Sequence, residues 1–257
     1  MKNAPSLVLL LALSAVVAPL GRAMPDNEAT PGRLILRRYA DAVVTVKGTV
    51  VLSVAMDERP LPPQETKLDF AGTVITPTGL VVTSFSLIDP KAIFEAMRAK
   101  LPGGQNFKLA QSSYKDLRIV FGDGTELPVQ VVWRDADRDV AMLALTNPLP
   151  AGRTLTCVNL NEAPAGAVVL GAYFEISRAG EVLHRTPMVL PCTVFGIVER
   201  PRRMLLMNTE AVGCPIFDVQ GRALGVCLRL VVNNEFSSYV VIPSSDLVDI
   251  ASQMTQL

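Results

Sequence analysis

Only a few side chains in this sequence could take part in nucleophilic, acid–base or metal chemistry. The chain of 257 residues holds one histidine, His184, and four cysteines, which are Cys157, Cys192, Cys214 and Cys227. A serine or cysteine nucleophile needs a neighbouring base, most often an imidazole, to take its proton. No two cysteines have the Cys-x-x-Cys spacing, and a single histidine does not complete a usual zinc set. We therefore expect no metal ion and no cofactor.

The four cysteines leave two interpretations open. Disulfides form in exported proteins, and four cysteines allow three full pairings that the sequence does not distinguish. Alternatively, all four are small, buried hydrophobic side chains.

The N-terminal residues have the pattern of a secretory signal peptide. Lys2 gives a positive start, Leu7 to Ala18 is a largely apolar run, and small residues precede a cleavage site after Ala23. The run is too short to cross the ~30 Å hydrocarbon core of a membrane. We therefore expect residues 1–23 to be removed, and the mature chain to be periplasmic or extracellular without a stable membrane anchor.

The charge balance argues against a nucleic-acid partner. The chain has 24 basic and 24 acidic residues and no long block of one sign. Hydrophobic residues make up 49% of the sequence, which is enough for a substantial core.

Short strands separated by turns dominate the pattern. Ala42 to Val54 is rich in valine and threonine, Thr76-Pro77-Thr78-Gly79 predicts a tight turn, and Gly122-Asp123-Gly124 predicts a hairpin. Residues 146–166 collect prolines and glycines and predict a linker between two strand-rich halves. Further strands are expected near 167–177, 182–198, 203–208, 214–218, 222–232 and 238–242. This spacing favours an all-β sandwich or barrel.

Two helices interrupt the strands. Asp89 and Pro90 are typical of a helix start, and apolar residues then recur at helical spacing as far as Leu101. A second helix is expected from Pro243 to the C-terminus at Leu257. We expect both apolar stripes to be packing faces.

Six segments have the character of a known family's motifs and stand in the same order, and they are 72–83, 121–127, 131–143, 196–198, 215–226 and 241–243. Together they resemble the protease domain of the HtrA-type (high-temperature-requirement) branch of the trypsin-like serine proteases. The resemblance covers roughly residues 40–257.

The resemblance implies an all-β fold, a trypsin-like double antiparallel β-barrel with a helical insertion and a C-terminal helix. The protease-fold domain would occupy residues 24–257, with the first barrel at about 40–147 and the second at about 167–242. The C-terminal helix would occupy 243–257, and the PDZ domain usual in the family is expected to be absent.

The same resemblance assigns the catalytic positions, and two of the three carry the wrong residue. Asp139 matches the catalytic aspartate, but Ser86 stands in place of the histidine and Val212 in place of the serine. Cys214 stands in place of a glycine just beyond the nucleophile. The segment before it is shorter than in the family by about six residues, which normally shape the oxyanion hole.

We therefore interpret the chain as a pseudoprotease, a protease-like protein without catalysis, that binds a protein or peptide in the old substrate cleft. One alternative is an active peptidase, either with Cys214 as nucleophile and His184 as base or with a serine-type site at other positions. We expect His184 in a strand of the second barrel, after the turn at Arg178–Gly180, whereas the resemblance places the family's base in the first barrel. Cys214 also lies close to Cys227 across a predicted hairpin, so the two could instead form a disulfide.

Another alternative is a structural or assembly subunit. In that case the helix at Asp89–Leu101 would cover the cleft or dock a partner chain through Phe94 and Met97. The sequence does not predict the oligomeric state.

Overall fold

The structure, a computed structural model, describes residues 30–162, 171–200, 202–232 and 235–254. The expected signal peptide, residues 1–23, lies outside the described residues, as do the end of the expected linker and the last three residues of the expected C-terminal helix. None of the helices in the described part combines the length and apolar character needed to cross a membrane. The described chain begins with helix α1 (Pro31–Tyr39).

The first barrel is built from the strands that follow α1. They are β1 (Val43–Met56), β2 (Arg59–Pro60), β3 (Gln64–Val74), β4 (Val81–Ser84), β5 (Phe107–Val120), β6 (Glu126–Asp135) and β7 (Val140–Leu145). The order is β1-β3-β4-β7-β6-β5, with β5 pairing back to β1 and the short β2 attached to the edge of β1. Inward-facing side chains such as Val46, Leu52 and Ile119 are fully buried and form the core of this barrel.

The turn between β3 and β4 follows from local sequence. The N–H of Gly79 donates to the carbonyl of Thr76 at 3.0 Å, and Gly79 has φ of +94°. Glycine takes this left-handed conformation without steric cost, which explains its place at the end of the turn.

Two helices lie between β4 and β5, which are α2 (Phe85–Ile88) and α3 (Pro90–Arg98). Asp89 caps α3, because its Oδ1 accepts a hydrogen bond from the N–H of Ala92 at 2.9 Å. Phe94 is only 2% exposed and packs with Met97 against the core of the first barrel. The apolar stripe of α3 is therefore a packing face.

The second barrel follows the linker. Its strands are β8 (Gly171–Arg178), β9 (Pro187–Val198), β10 (Met204–Met207), β11 (Pro215–Phe217), β12 (Ala223–Val232) and β13 (Glu235–Pro243). They close in the order β10-β13-β12-β11-β8-β9, and helix α4 (Ser244–Met254) follows. The predicted all-β fold of two antiparallel barrels, with a helical insertion and a C-terminal helix, is confirmed.

The prediction that His184 lies in a strand is wrong. The residue follows a short 3₁₀ helix, Glu181–Leu183, in the loop between β8 and β9, and its φ is +52°. The N–H of Leu183 donates to Gly180 and that of His184 to Glu181, so the loop satisfies its backbone locally. Val182 is 91% exposed, and the apolar Val-Leu pair that favoured a strand therefore does not face a core.

A shared core joins the two barrels. Side chains of α1, of both barrels and of α4 form one buried cluster, which includes Val82, Met142, Leu228 and Leu247. Because this cluster holds the two barrels together, it also positions the end of β4, the start of β7 and the strand β12 relative to one another. The predicted site lies where these three meet.

Candidate functional site

Asp139, the expected catalytic aspartate, lies immediately before β7 and is 2% exposed. Its carboxylate accepts hydrogen bonds from the Ser84 hydroxyl at 2.5 Å, the Ser86 N–H at 2.6 Å and the Arg229 N–H at 3.0 Å. Burial raises the pKa of Asp139, and the donors from Ser84, Ser86 and Arg229 oppose that rise. The carboxylate thus joins the end of β4, the start of β7 and the second barrel's β12.

The structure brings Ser86 and Asp139 together, but without an imidazole. The Ser86 hydroxyl lies 3.2 Å from that of Ser84, while the only histidine of the chain, His184, is in the exposed β8–β9 loop. In a Ser-His-Asp triad the imidazole accepts the nucleophile's proton and the aspartate orients the imidazole. Neither hydroxyl can take the place of that imidazole as a base near neutral pH.

Val212 lies in a tight turn whose amides are already bonded. The N–H of Val212 donates to Glu210 at 2.8 Å, that of Gly213 to Cys227 at 2.7 Å and that of Cys214 to Ala211 at 3.0 Å. An oxyanion hole needs N–H groups that converge on the position of the developing negative charge. None of these three is available for that role.

The same turn is pressed against the first barrel. The hydroxyl of Thr73, in β3, donates to the carbonyl of Gly213 at 2.7 Å. A Cβ on Gly213 would lie 2.0 Å from the carbonyl oxygen of Ala71, and Gly213 has φ of +83°. The short segment therefore fits only with glycine at this position.

Glu175 anchors the start of this segment from the second barrel. It is 5% exposed, and its carboxylate accepts a hydrogen bond from the hydroxyl of Thr209. The Thr209 hydroxyl in turn accepts from the N–H of Ala211 at 3.2 Å. Burial raises the pKa of Glu175 above its ordinary value, and the hydrogen bonds from Thr209 and Ser177 lower it by less.

Cys214 does not have the surroundings of a thiol nucleophile. Its side chain is 2% exposed within the core shared by the barrels, and burial raises the pKa of its thiol well above the ordinary value. Reactive cysteines have a lowered pKa and are accessible. His184, the base in that alternative, is in an exposed loop.

The hypothesised Cys214–Cys227 disulfide is absent, and the four thiols are free. The two backbones are adjacent, since the N–H of Cys227 donates to the carbonyl of Cys214 at 2.9 Å. However, Cys214 packs in the core between the barrels, and Cys227 packs inside the second barrel with Cys192. The two adjacent backbone segments therefore direct their thiols into different cores. Three of the four cysteines are small buried side chains, and Cys157 is half-buried.

A cleft of about 930 Å³ lies beside Ser86. Helices α2 and α3 form one wall, β5 forms another, and the hairpin of β12 and β13 closes the third side. Nη1 of Arg229 lies 3.5 Å from the Ser86 hydroxyl, and its guanidinium lies 5.2 Å from the ring centroid of Phe236. Sequence reasoning missed Arg229, because its contact with Asp139 joins residues that are far apart along the chain.

Strand β12 has an unpaired edge at this cleft. Near its start it pairs with β11, and the N–H and C=O of Cys227 bond to Cys214 and Gly213. The next residue facing that side, Arg229, donates its N–H to Asp139. From there to Val231, β12 pairs only with β13 among the described strands.

The described residues contain no group of three His, Cys, Asp or Glu side chains placed to hold a metal ion.

Comparison with known proteins gives one matching family model. The model of the trypsin-like peptidase domain matches residues 70–226. No curated protein matches the chain.

Several solved structures are similar. The protease domain of MamO from Magnetospirillum magneticum is 16% identical with a TM-score of 0.49, and the match covers 83% of this chain and 97% of that one. The HtrA-type protease AlgW, solved with a decapeptide, is 14% identical with a TM-score of 0.56, covering 86% and 66%. Rv3671c from M. tuberculosis H37Rv, solved in an inactive form, is 14% identical with a TM-score of 0.50, covering 86% and 90%. The likeness to the last two supports the double-barrel fold.

Proposed function

Because the chain belongs to the family of trypsin-like peptidase domains, we propose that it is an exported member that does not cleave peptide bonds and instead binds an extended peptide between its barrels. The observation that carries this proposal is the unpaired edge of β12 from Arg229 to Val231, which faces the cleft beside Ser86.

The edge offers main-chain groups to a partner strand. The N–H and C=O of one strand residue point to the same side, neighbouring residues point to opposite sides, and every second residue therefore points to the same side. Since the N–H of Arg229 points towards Asp139, regular alternation along β12 turns the C=O of Arg229 and the N–H and C=O of Val231 to the same side. The register shift between Leu230 and Val231 places its extra residue, Ser237, in β13 and not in β12. An extended peptide laid along this edge would pair with these groups, as in other cases of strand addition.

Three features argue against proteolysis in the cleft. Valine at position 212 has no nucleophilic atom, no imidazole accompanies Asp139, and the amides of residues 212–214 are bonded to carbonyls of the chain. In a serine protease, loss of the triad alone removes about 10⁶-fold of the rate. A binding role needs none of these groups.

The assembly alternative through α3 is less well supported. Phe94, which would have to contact a partner chain, is buried in the first barrel's core. The Cys214 alternative meets the same difficulty, because that thiol is buried between the barrels.

The absence of proteolysis is tested with a dye-labelled unfolded protein as substrate. We expect the purified mature chain to give no turnover above the blank, with or without reductant. Turnover that disappears in Cys214→Ala would contradict the proposal in favour of a cysteine site. Turnover that survives in Cys214→Ala and follows the protein through two unrelated purifications would place a serine-type site elsewhere in the chain.

Strand addition is tested with a dye-labelled valine- and threonine-rich peptide of about ten residues, with binding followed by fluorescence anisotropy. Two N-methylated versions block alternate amides, one in each frame. We expect one frame to weaken binding and the other to leave it unchanged, because only alternate amides face β12. Equal effects in both frames would contradict strand addition, and no binding by any peptide would contradict peptide binding altogether.

A further inference from the structure

We propose that the bound peptide presents an aspartate or glutamate side chain to Arg229. This inference rests on the proposed function, since it specifies the chemistry of a peptide bound along β12.

The cleft has more positive than negative charge. Among the side chains that the structure describes, two acidic residues line the cleft, and each forms an ion pair with an arginine that also lines it. Asp89 lies 3.4 Å from Arg134, and Glu95 forms an ion pair with Arg98. Two further cations, Lys91 and Arg229, also line the cleft.

Lys91 and Arg229 form no ion pair with any carboxylate whose side chain the structure describes. Asp139 accepts a hydrogen bond from the backbone N–H of Arg229 and not from its guanidinium. The oxygens of Asp139 are further occupied by the Ser84 hydroxyl and the Ser86 N–H. Among the described side chains, the guanidinium of Arg229 therefore lines the cleft without an acidic partner.

The position of this guanidinium is constrained. Nη1 lies 3.5 Å from the Ser86 hydroxyl on one side, and the ring of Phe236 lies beneath the group on the other. Such contacts hold an arginine in place without neutralising it. A constrained cation loses less side-chain entropy when it pairs with an anion than a freely moving one does.

In a strand pair, the peptide residue directly opposite Arg229 would bring its side chain close to the guanidinium, so we expect that side chain to carry the anionic group. On one face of an antiparallel pair, directly opposite residues have Cβ atoms about 4.5–5.5 Å apart, and opposite charges there are stabilising. A peptide strand on the edge at Arg229 would place one of its side chains in that position. An acidic side chain would pair with Arg229, whereas a lysine would meet like charge from Arg229 and Lys91.

The test uses three peptides with one common valine- and threonine-rich sequence, an acetylated N-terminus and an amidated C-terminus. Their central residue is Glu, Gln or Lys. We expect the Glu peptide to bind about threefold more tightly than the Gln peptide, and the Lys peptide to bind most weakly, because a partly exposed pair contributes modestly. Raising the salt concentration should remove the difference.

Protein variants identify the cation responsible. Arg229→Gln is expected to abolish the preference for Glu over Gln, and Lys91→Gln to reduce it. Arg153→Gln, which removes an exposed arginine outside the cleft, serves as the matched control and should keep the full preference. Thermal unfolding of each variant verifies that it is folded.

The outcomes separate this inference from the proposed function. If the three peptides bind equally while N-methylation still acts in one frame only, strand addition stands and the inference is wrong. If Arg229→Gln weakens the three peptides by the same factor, Arg229 acts on the strand and not on the acidic side chain, which also overturns the inference. If none of the peptides binds, both proposals fall.

Discussion

At the scale of single residues, two buried carboxylates, Asp139 and Glu175, each bind donors from other parts of the chain. Asp139 binds donors from β4, α2 and β12, and Glu175 binds the hydroxyl of Thr209 at the start of the segment that carries Val212. Each carboxylate therefore positions backbone that comes from a distant part of the chain. Neither needs to react for its place in the structure to be explained.

The raised pKa of Glu175 predicts a pH-dependent stability. Its folded pKa lies above the ordinary value of 4.5, so between those two values the native state binds more protons than the unfolded chain. Stability from this group is therefore complete at low pH and is lost as the pH rises through the folded pKa. Glu175→Gln keeps an oxygen acceptor for Thr209 without titrating. We expect it to gain stability relative to the wild type more at about pH 7 than at about pH 4.

Urea unfolding at the two pH values measures this difference. Glu210→Gln, which removes an exposed carboxylate near Thr209, is the matched control. A gap between Glu175→Gln and wild type that is the same at both pH values would show that burial does not perturb Glu175.

The sequence predicted some residues of the site and not others. The resemblance to proteases was enough to expect Ser86 and Asp139 in one place, because both belong to recognisable motifs of the first barrel. Arg229 carries no such local signal. Its role depends on the closing of the second barrel against the first, which sets its N–H 3.0 Å from Asp139.

At the scale of elements, the turn around Val212 joins the second barrel closely to the first. It turns back so closely that Gly213 touches the backbone of β3. The fit depends on the left-handed conformation of Gly213 and on the absence of a side chain there.

Gly213→Ala should therefore be strongly destabilising. A Cβ 2.0 Å from the carbonyl oxygen of Ala71 has no space, and the backbone on both sides is held by hydrogen bonds. We expect a loss of more than about 3 kcal/mol in the free energy of unfolding, measured with urea.

Gly152→Ala is the matched control for backbone conformation. Gly152 has φ of +80°, close to that of Gly213, but nothing surrounds the position of its Cβ. We expect a cost of about 1–2 kcal/mol from the conformation alone. Similar costs for the two substitutions would mean that the contact between Gly213 and β3 contributes nothing.

Turns and helices that are determined by residues close by in sequence were predictable, whereas the conformation of the segment at Val182-Leu183 was not. The turn at Thr76–Gly79, the hairpin at Gly122–Gly124 and helix α4 follow from proline, glycine and capping residues close by in sequence. The segment at Val182-Leu183 has the composition of a strand. Strand β8 ends before it, at Arg178, and a local turn satisfies the backbone that follows.

At the scale of the whole molecule, Arg178 connects the second barrel to the chain at the start of β1 in the first barrel. It lies at the end of β8, and its side chain is only 4% exposed. Its guanidinium donates to the carbonyls of Ala40 at 2.6 Å, Val43 at 2.5 Å and Arg185 at 3.1 Å. One side chain thus satisfies main-chain acceptors on both sides of the boundary between the barrels.

Arg178→Met is expected to lower the free energy of unfolding by about 2–5 kcal/mol, because buried carbonyls lose their donor. Arg153→Met, an exposed arginine in the segment between the barrels, should change it by no more than about 0.5 kcal/mol. Denaturant unfolding of both variants measures the difference. An Arg178→Met protein with the wild-type midpoint would show that these bonds do not hold the barrels together.

Helix α1 has a consequence for the order in which the chain acquires its structure. The ring of Tyr39 stacks on that of Phe217 at 4.6 Å, and α1 packs on strands β8 and β9 of the second barrel. A chain that leaves the ribosome from its N-terminus presents α1 long before β11 exists. The first barrel can form meanwhile, but these contacts of α1 form only after the chain has been made as far as β11. The docking of α1 is therefore a later event in biogenesis than the synthesis of the first barrel.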